Sequence, residues 1–376
     1  MCEGSTGFRN GEDGGDMTTA RAAVLTAANT FELREFDVVA PDDGAVISVD
    51  ACGLCGTDLD VVRGDVPLRY PVIPGHEIVG TISSITDAYA RATSLAIGDR
   101  VVIPGELHCG TCRGCLADES CLASPGTHGF LPTTLAPSLW GGFADAMALD
   151  ARTRPLRIDR AVPIERASLF NLLGAGWSWA VEAPQLEAGQ SIVVLGPGQR
   201  GLACVLAASE IRARVVAVTG LGERDRHKLD LARRFGAELA LDATDDVVGA
   251  VLAATDGGVD VVVDTTPHST ESIVQALAMV RPGGVVVVAG LKGRTTPEFP
   301  TDTLALRRIT MRGVRAVTRS GFRSAIAMLE RGDDRLDALH THHFDVAEAM
   351  TAIETLRDDS GAIAVSIGPL TQDRGR

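Results

Sequence analysis

Two short segments near the amino terminus carry side chains that bind divalent metals. GLCGTD supplies Cys55, and PGHE, which begins at Pro74, supplies His76 and Glu77. Thiolate, imidazole and carboxylate are ligand types of open zinc sites, where three protein ligands leave one position for a substrate oxygen and the metal acts as a Lewis acid. The segments therefore predict a catalytic zinc, although either motif alone is also typical of a buried Cys or His without metal.

Two neighbours of Cys55 extend this prediction. Thr57 lies two residues further along, where its hydroxyl is placed to take the proton of a bound alcohol. Asp58 is a candidate to hold the second ring nitrogen of His76, which is a usual arrangement around a zinc-binding histidine.

A second group of cysteines has the spacing C-x2-C-x2-C-x5-C. Four thiolates at such short intervals predict a tetrahedral structural zinc, on which the fold of the lobe at 106–125 depends. An iron–sulfur cluster and a reactive dithiol are the alternatives, but the form C-x2-C-x2-C-x3-C-P is absent. Glu106 and His108, just before the group, are candidates for polar contacts with a substrate. The four predicted ligands are Cys109, Cys112, Cys115 and Cys121.

The composition limits the classes of protein to consider. The chain has 376 residues, of which 45% are hydrophobic and 22% charged, as expected for a globular protein of two domains. Its formal charge of -14 disfavours nucleic acid and anionic membranes as partners. There is no apolar run of membrane-spanning length and no signal-peptide pattern, so we expect a cytoplasmic protein. The chain has eight cysteines, and their clustering favours metal binding over disulfides.

The first half of the chain has the pattern of an antiparallel β domain. Residues 1–16 are polar and rich in glycine, which predicts a disordered tail. From Ala22 to Ile103 short alternating runs are separated by Gly, Pro and Asp, which predicts a small antiparallel β-barrel. The metal-binding segments lie within or directly after this region.

The pattern changes at Ser191 to that of a dinucleotide-binding domain. An apolar strand is followed by G-x-G-x-x-G at Gly196, Gly198 and Gly201, with Gln199 opening an Ala-rich helix. This context suits a pyrophosphate at a helix N-terminus. Further strands predict a doubly wound six-stranded sheet: Val215–Val218, Leu239–Leu241, Val259–Asp264, Val285–Ala289 and Ile309–Gly313.

The end of the second of these strands bears on the choice between NAD and NADP. Thr219 and Gly220 stand where an acid would bind the adenosine ribose, and Arg224 and Lys228 follow. The missing acid and the basic residues favour NADP over NAD. The preference is slight, because Asp225 or Glu223 could instead reach the ribose.

These motifs, with GGFAD at 141–145 and the strands VVVDTT and VVVVAGL, occur in the order found in the zinc-dependent medium-chain alcohol dehydrogenases, and the chain resembles that family from about Thr18 onward. The polyol and threonine dehydrogenases are the branch that it resembles most. The resemblance implies an α/β fold with a GroES-like β-barrel catalytic domain, 17–165 and 318–376, and a doubly wound Rossmann domain, 166–317, with the active site in the cleft between them.

The resemblance also assigns residues and a reaction. It implies a zinc-dependent oxidoreductase that transfers hydride between a secondary alcohol, or its ketone or aldehyde, and NAD(P). The proton of the alcohol passes from Thr57 through the cofactor ribose to Asp60, which stands where the branch often has His. A further zinc ligand, Cys or Glu, is expected at position 171, but this chain has Asn171. The remaining cofactor contacts implied are Thr265, Thr266, Gly290 and Leu291.

Asn171 leaves alternatives open, because a neutral amide is a poor zinc ligand. One is a zinc-independent NADPH reductase of the same fold that acts on an activated alkene or imine, and another is a dinucleotide-binding protein without turnover. An exposed sixth Rossmann strand predicts a homodimer or homotetramer.

Overall fold

The computed structural model describes residues 8–10, 18–293 and 299–369. The chain forms two compact units: the first contains the described residues up to Asn171 and those from Ile326 onward, and the second contains Leu172–Ala325. The sequence places these boundaries at 165/166 and 317/318. In the structure they fall inside two helices that continue from one unit into the other, Phe170–Trp177 and Arg319–Glu330.

The first part of the chain is mainly β-strand. Its strands are β1 (Phe8–Asn10), β2 (Thr19–Ala27), β3 (Thr30–Asp37), β4 (Ala45–Gly53), β5 (Glu77–Thr86), β6 (Arg100–Pro104), β7 (Ala146–Leu149) and β8 (Leu156–Arg157). Its helices are short: α1 (Gly56–Arg63), α2 (Asp87–Thr93), α3 (Arg113–Leu116) and α4 (Ile164–Ala167). The alternating runs between Ala22 and Ile103 form β2, β4, β5 and β6.

The middle of the chain alternates strands and helices. It begins with α5 (Phe170–Trp177) and a π-helical segment, Ser178–Glu182, and continues with β9 (Ser191–Leu195), α6 (Gln199–Glu210), β10 (Val215–Gly220), α7 (Gly222–Arg234), β11 (Leu239–Asp242), α8 (Val247–Ala254), β12 (Val259–Asp264), α9 (Glu271–Met279), β13 (Val280–Val288), α10 (Thr301–Leu306) and β14 (Thr310–Gly313). The six strands pair in parallel in the order β11-β10-β9-β12-β13-β14. The predicted doubly wound six-stranded sheet is confirmed.

One predicted strand has a different length for a local reason. The fifth Rossmann strand was expected at Val285–Ala289, whereas β13 begins at Val280. Its pairing with β12 jumps from Val259↔Val280 to Val261↔Val285, so the residues between, which include Pro282, bulge out of the ladder. Pro and Gly are uncommon inside a strand, which is why the sequence pattern places the start of this strand only after Gly284.

The last part of the chain returns to the first unit. It contains α11 (Arg319–Glu330), β15 (His340–Phe344), α12 (Ala349–Asp358) and β16 (Ala364–Ile367), with short 3₁₀ segments at Asp334–Ala338 and Val346–Glu348. β16 pairs with β4, and the larger sheet of the unit has the order β15-β16-β4-β5-β6-β8, with β1 on β5 and β7 on β4. The pairs are antiparallel, as predicted, except for the parallel pair β15–β16.

The predicted disordered tail lies largely outside the described residues, and the structure corrects the prediction for one part of it. Phe8–Asn10 forms β1, which pairs with Ser84–Thr86 of β5. The ladder between β5 and β6 ends at Thr81, and β1 pairs with β5 beyond that point.

Each unit has its own apolar core. The core of the first unit contains fully buried residues of β2, β4, β5 and β7, such as Leu25, Ile47 and Ile78. In the second unit all five residues of β9 are buried, as expected for a parallel strand covered on both faces. No helix within the described residues combines the length and the apolar character needed to cross a membrane.

Candidate active site

The pairing of β4 with β5 brings the two amino-terminal motifs together. Gly53 pairs with Glu77, so Cys55, two residues beyond β4, and His76, one residue before β5, lie at the same end of the ladder. The Cys55 Sγ lies 3.4 Å from the His76 Nε2, and the ligand atoms of Cys55, His76 and Glu77 all lie within 4.8 Å of one another. A Cβ on Gly53 would lie 3.1 Å from the Glu77 Oε2, so this glycine leaves room for the carboxylate.

Helix α1 fixes the position of Cys55. Cys55 precedes the helix with an extended backbone, and its N–H donates to the Asp58 Oδ2 at 2.9 Å. The helix ends at Gly64, which has a φ of 83° that favours glycine. The Cys55 sulfur is therefore held at the N-terminal cap of a short helix.

Asp58 also faces the histidine. Its Oδ1 lies 3.4 Å from the His76 Nδ1, and the Asp58 side chain is fully buried. Neither of these two atoms has a hydrogen-bond partner within the accepted geometry. If these two atoms were slightly closer, the His76 Nδ1 would donate a hydrogen bond to the Asp58 Oδ1. The lone pair of Nε2 would then point toward Cys55 and Glu77.

The charges around His76 suit a cation. Burial lowers the pKa of His76, but the negative charges of Asp58 and Cys55 oppose it and raise that pKa well above the ordinary value. A soft thiolate, an imidazole and a carboxylate form a donor set that zinc prefers. The three residues fit a zinc ion on both geometry and charge.

The further zinc ligand that the family resemblance implies is replaced by Asn171, which is buried in the first turn of α5.

The four cysteines of the lobe also converge. The Cys109 and Cys115 sulfurs lie 3.9 Å apart, as do those of Cys112 and Cys121, and all four sulfurs lie within 4.8 Å of one another. Sulfurs at the corners of a tetrahedron around zinc are about 3.8 Å apart for a bond of about 2.3 Å. The lobe fits a tetrahedral zinc, and all seven cysteines in the described part of the chain are free thiols.

Backbone N–H groups point at the lobe sulfurs and help to hold negative charge. Cys112 N donates to the Cys109 Sγ at 3.4 Å, and Cys115 N to the Cys112 Sγ at 3.4 Å. Hydrogen bonds from the backbone of Thr111 and Cys112 lower the pKa of Cys109 to about 6. Burial raises the pKa of Cys115 to about 12, an effect that a bound cation would oppose.

Glu106 and His108 belong to this lobe. The Glu106 Oε2 accepts from Cys121 N at 3.3 Å, and the His108 Nδ1 lies 3.4 Å from the Cys115 Sγ. The sequence offered them as substrate contacts, but the structure places them against the cysteines. Their closeness in sequence to the four cysteines is the signal from which contact with the cysteines could have been expected.

The predicted proton-relay residues lie on α1. Thr57 is exposed in its first turn. Asp60 forms an ion pair with Arg63, one turn further along the same helix. Both residues therefore lie on the helix that also anchors Cys55.

The glycine-rich turn has the tight geometry that the motif predicts. Gly196, directly after β9, has a φ of 94°, and a Cβ on Gly201 would lie 1.9 Å from the Gly196 oxygen. Gly198 precedes α6, which begins at Gln199, and makes no side-chain cap to this helix. The N-terminus of such a helix suits a pyrophosphate.

The remaining predicted cofactor residues follow β12 and β13. Thr265 donates its hydroxyl to the Leu195 oxygen at 2.8 Å, which joins its loop to β9. A Cβ on Gly290 would lie 2.2 Å from the Thr266 oxygen, so the two loops pack backbone against backbone. Leu291 is 77% exposed. The loops that carry these residues meet at the carboxyl ends of the strands, where such sheets bind ligands.

The basic residues after β10 differ in their contacts. Thr219 is buried, and its oxygen accepts from Gly196 N at 3.2 Å. Lys228 faces the buried Asp225, with the Lys228 Nζ 3.7 Å from the Asp225 Oδ1. Asp225 in turn accepts from Leu221 N. Arg224 is exposed and makes no ion pair among the described residues.

The chain matches two family models. Residues 41–157 match the model of the alcohol dehydrogenase GroES-like domain, and residues 201–331 match that of the zinc-binding dehydrogenases. A probable alcohol dehydrogenase of Mycobacterium tuberculosis is 38% identical over 84% of this chain and 89% of its own length.

Solved structures with the same fold cover almost the whole chain. An alcohol dehydrogenase of Thermotoga maritima superposes with a TM-score of 0.83 at 24% identity, over 94% of this chain and all of the other. A zinc-binding dehydrogenase of Sinorhizobium meliloti, solved with bound NADP, gives a TM-score of 0.80 at 25% identity, over 93% and 99%.

The chain belongs to the zinc-dependent medium-chain alcohol dehydrogenase family. The predicted GroES-like and Rossmann domains are confirmed, and so is the class of enzyme, an NAD(P)-dependent alcohol dehydrogenase that interconverts alcohols and carbonyl compounds.

Proposed function

We propose that Cys55, His76 and Glu77 hold the catalytic zinc of this dehydrogenase and that a secondary alcohol is its substrate. The observation that carries the proposal is the convergence of three chemically different donor atoms within 4.8 Å. Zinc bound there would supply a Lewis acid that lowers the pKa of a substrate hydroxyl or polarises a carbonyl. Asn171, as a neutral amide, would add no charge, and water would complete the ligand set.

Residues of α1 handle the proton in this proposal. Thr57 is exposed two residues beyond Cys55, so its hydroxyl accepts the substrate proton and donates its own onward. Asp60, which pairs with Arg63 on the same helix, is the proposed acceptor at the end of this relay. Asp58 keeps the proton of His76 on Nδ1, so that Nε2 remains a ligand.

Metal analysis combined with turnover tests this proposal. We expect about two zinc ions per chain, one for each site, and oxidation of at least one member of a panel of secondary alcohols. About one zinc per chain, with reduction of an activated alkene or imine instead, would favour a zinc-independent reductase. Cofactor binding without turnover on either panel would favour a non-catalytic protein.

The proposed cofactor is NADP, bound through the pyrophosphate turn at Gly196, Gly198, Gln199 and Gly201. Two observations support it: there is no acid at Thr219 or Gly220, and the nearby Asp225 is committed to Leu221 N and Lys228. Exposed Arg224 is the proposed partner of the 2'-phosphate. The Sinorhizobium meliloti relative binds NADP.

Arg224→Ala is expected to raise the KM for NADP by about ten- to a hundredfold, because a charge-assisted contact to phosphate is lost. The KM for NAD should change little, since NAD has no 2'-phosphate. Arg226→Ala is the matched control, because Arg226 is exposed on the same helix and already pairs with Glu223. Equal changes for both cofactors, or none, would contradict the assignment.

We also propose a cytoplasmic homodimer or homotetramer. The free thiols support a reducing compartment, where cysteines remain available for zinc. β14 pairs only with β13 among the described strands, which supports a partner strand from a second copy.

A further inference from the structure

A buried ion pair lies at the carboxyl ends of β12 and β13. Asp264 is the last residue of β12 and has no exposed surface, and Lys292 follows β13 with a side chain that is 12% exposed. The Lys292 Nζ lies 2.7 Å from the Asp264 Oδ2. No local sequence pattern marks either residue, because only the fold brings the two loops together.

Within the described part of the chain, the other polar contacts of the pair are made within the two loops or with the start of α9. Asp264 accepts from Thr266 N at 3.0 Å, from the Thr266 hydroxyl at 2.6 Å and from the Ser272 hydroxyl at 2.8 Å. Lys292 donates to the Thr266 oxygen at 2.5 Å, and its Nζ lies 3.2 Å from the Thr266 Oγ1 and 3.1 Å from the Ser272 Oγ. Thr266 is therefore held from both sides.

The backbone completes the connection between the loops. Ala289 N and Gly290 N both donate to the Asp264 oxygen at 2.9 Å, and His268 N donates to the Leu291 oxygen at 2.9 Å. The close approach of Gly290 to the Thr266 oxygen permits no side chain between them. One cation and one carboxylate thus fix the relative position of Thr266 and Gly290.

A buried ion pair contributes little net stability, because desolvation of both charges offsets their attraction. What such a pair does supply is a fixed geometry when all its donors and acceptors are satisfied. The groups fixed here are those assigned to the cofactor.

We propose that Asp264 and Lys292 are positioning residues for the nicotinamide cofactor: their ion pair preorganises the loops after β12 and β13 in the conformation that binds it. This rests on the proposed function, which binds NADP at the glycine-rich turn, and on the cofactor contacts that the family resemblance implies for Thr265, Thr266, Gly290 and Leu291. Without the pair, binding must order two loops that are now ordered in advance.

The same two strands provide a matched control at their other ends. Asp260, the second residue of β12, pairs with Arg281, the second residue of β13, at 2.7 Å between the Arg281 Nε and the Asp260 Oδ1. Because parallel strands share their amino ends, this pair joins the same strands at the edge opposite the cofactor loops.

The test compares Lys292→Met, the double variant Asp264→Asn with Lys292→Met, and Arg281→Met. Cofactor affinity is measured by calorimetric titration of NADPH and NADH without substrate, and stability by the thermal midpoint. The single Lys292 variant leaves a buried carboxylate without its cation, so both affinity and stability should fall. In the double variant no buried charge remains, so the midpoint should return to within a few degrees of the wild type.

The cofactor affinity of the double variant distinguishes a positioning role from a role in stability alone. We expect its Kd for the cofactor to stay about tenfold or more above the wild-type value, because the tether between the loops is still missing. Arg281→Met should lower the midpoint without changing that Kd. Recovery of affinity together with stability in the double variant, or an equal loss of affinity in Arg281→Met, would overturn the proposal. Failure of the zinc assignment would leave this binding comparison intact, since no substrate is present.

Discussion

Replacement of Cys55 by serine is expected to reduce kcat/KM for alcohol oxidation by about a thousandfold or more, because several kcal/mol of Lewis-acid stabilisation disappear with the metal. The Cys55 sulfur lies 3.4 Å from the His76 Nε2 and is the softest donor of the three. Zinc content should fall from about two ions per chain to about one. The Kd for NADPH, measured without substrate, should stay unchanged, because the glycine-rich turn lies in the other unit.

Cys52→Ala is the matched control for this prediction. Cys52 is fully buried three residues earlier, and its thiol lies 3.6 Å from the Gly53 oxygen. This variant should keep both zinc ions and most of the activity. Full activity of Cys55→Ser, or loss of zinc from Cys52→Ala alone, would rule out the assigned ligand set.

The second large effect is expected at the cysteine lobe. Cys121→Ser should release the structural zinc and lower the apparent thermal midpoint by about 10 °C or more, because zinc binding in such lobes supplies folding free energy directly. The remaining three sulfurs would lose the tetrahedral arrangement in which the Cys112 and Cys121 sulfurs lie 3.9 Å apart. Calorimetry with metal analysis measures both changes.

Leu122→Ala serves as the control at the next position. Leu122 is 61% exposed, so loss of its side chain removes little buried surface and no metal ligand. Its midpoint should stay within a few degrees of the wild type. If Cys121→Ser retained two zinc ions and the wild-type midpoint, the four cysteines would not form a structural site.

Variants at the two sites should affect different properties, so a comparison of them separates the roles of the two metals. Loss of zinc from the Cys55 site should remove chemistry and leave stability nearly unchanged, because the capping bond from Cys55 N to Asp58 persists. Loss of zinc from the lobe should lower the stability but leave the activity nearly unchanged, provided that the activity is measured below the new thermal midpoint. A variant at either site that changed both properties equally would indicate that the metals are coupled.

The amino-acid sequence by itself determined the elements and the donor sets. The run of apolar residues in β9, followed by Gly196, Gly198 and Gly201, predicts a strand, a tight turn and a helix because each depends on interactions between near neighbours. The cysteine spacing of the lobe predicts metal for the same reason, since its four ligands lie within one short segment.

Contacts between distant segments were decided only by the tertiary structure. Asp225 was a candidate ribose ligand by sequence, but its burial beside Lys228 gives the carboxylate another partner. The pairing of Asp264 with Lys292 depends on where two parallel strands end, which no local pattern encodes. Periodicity records which face of an element is buried, whereas the partner of a buried charge is set by the packing of segments far apart in the chain.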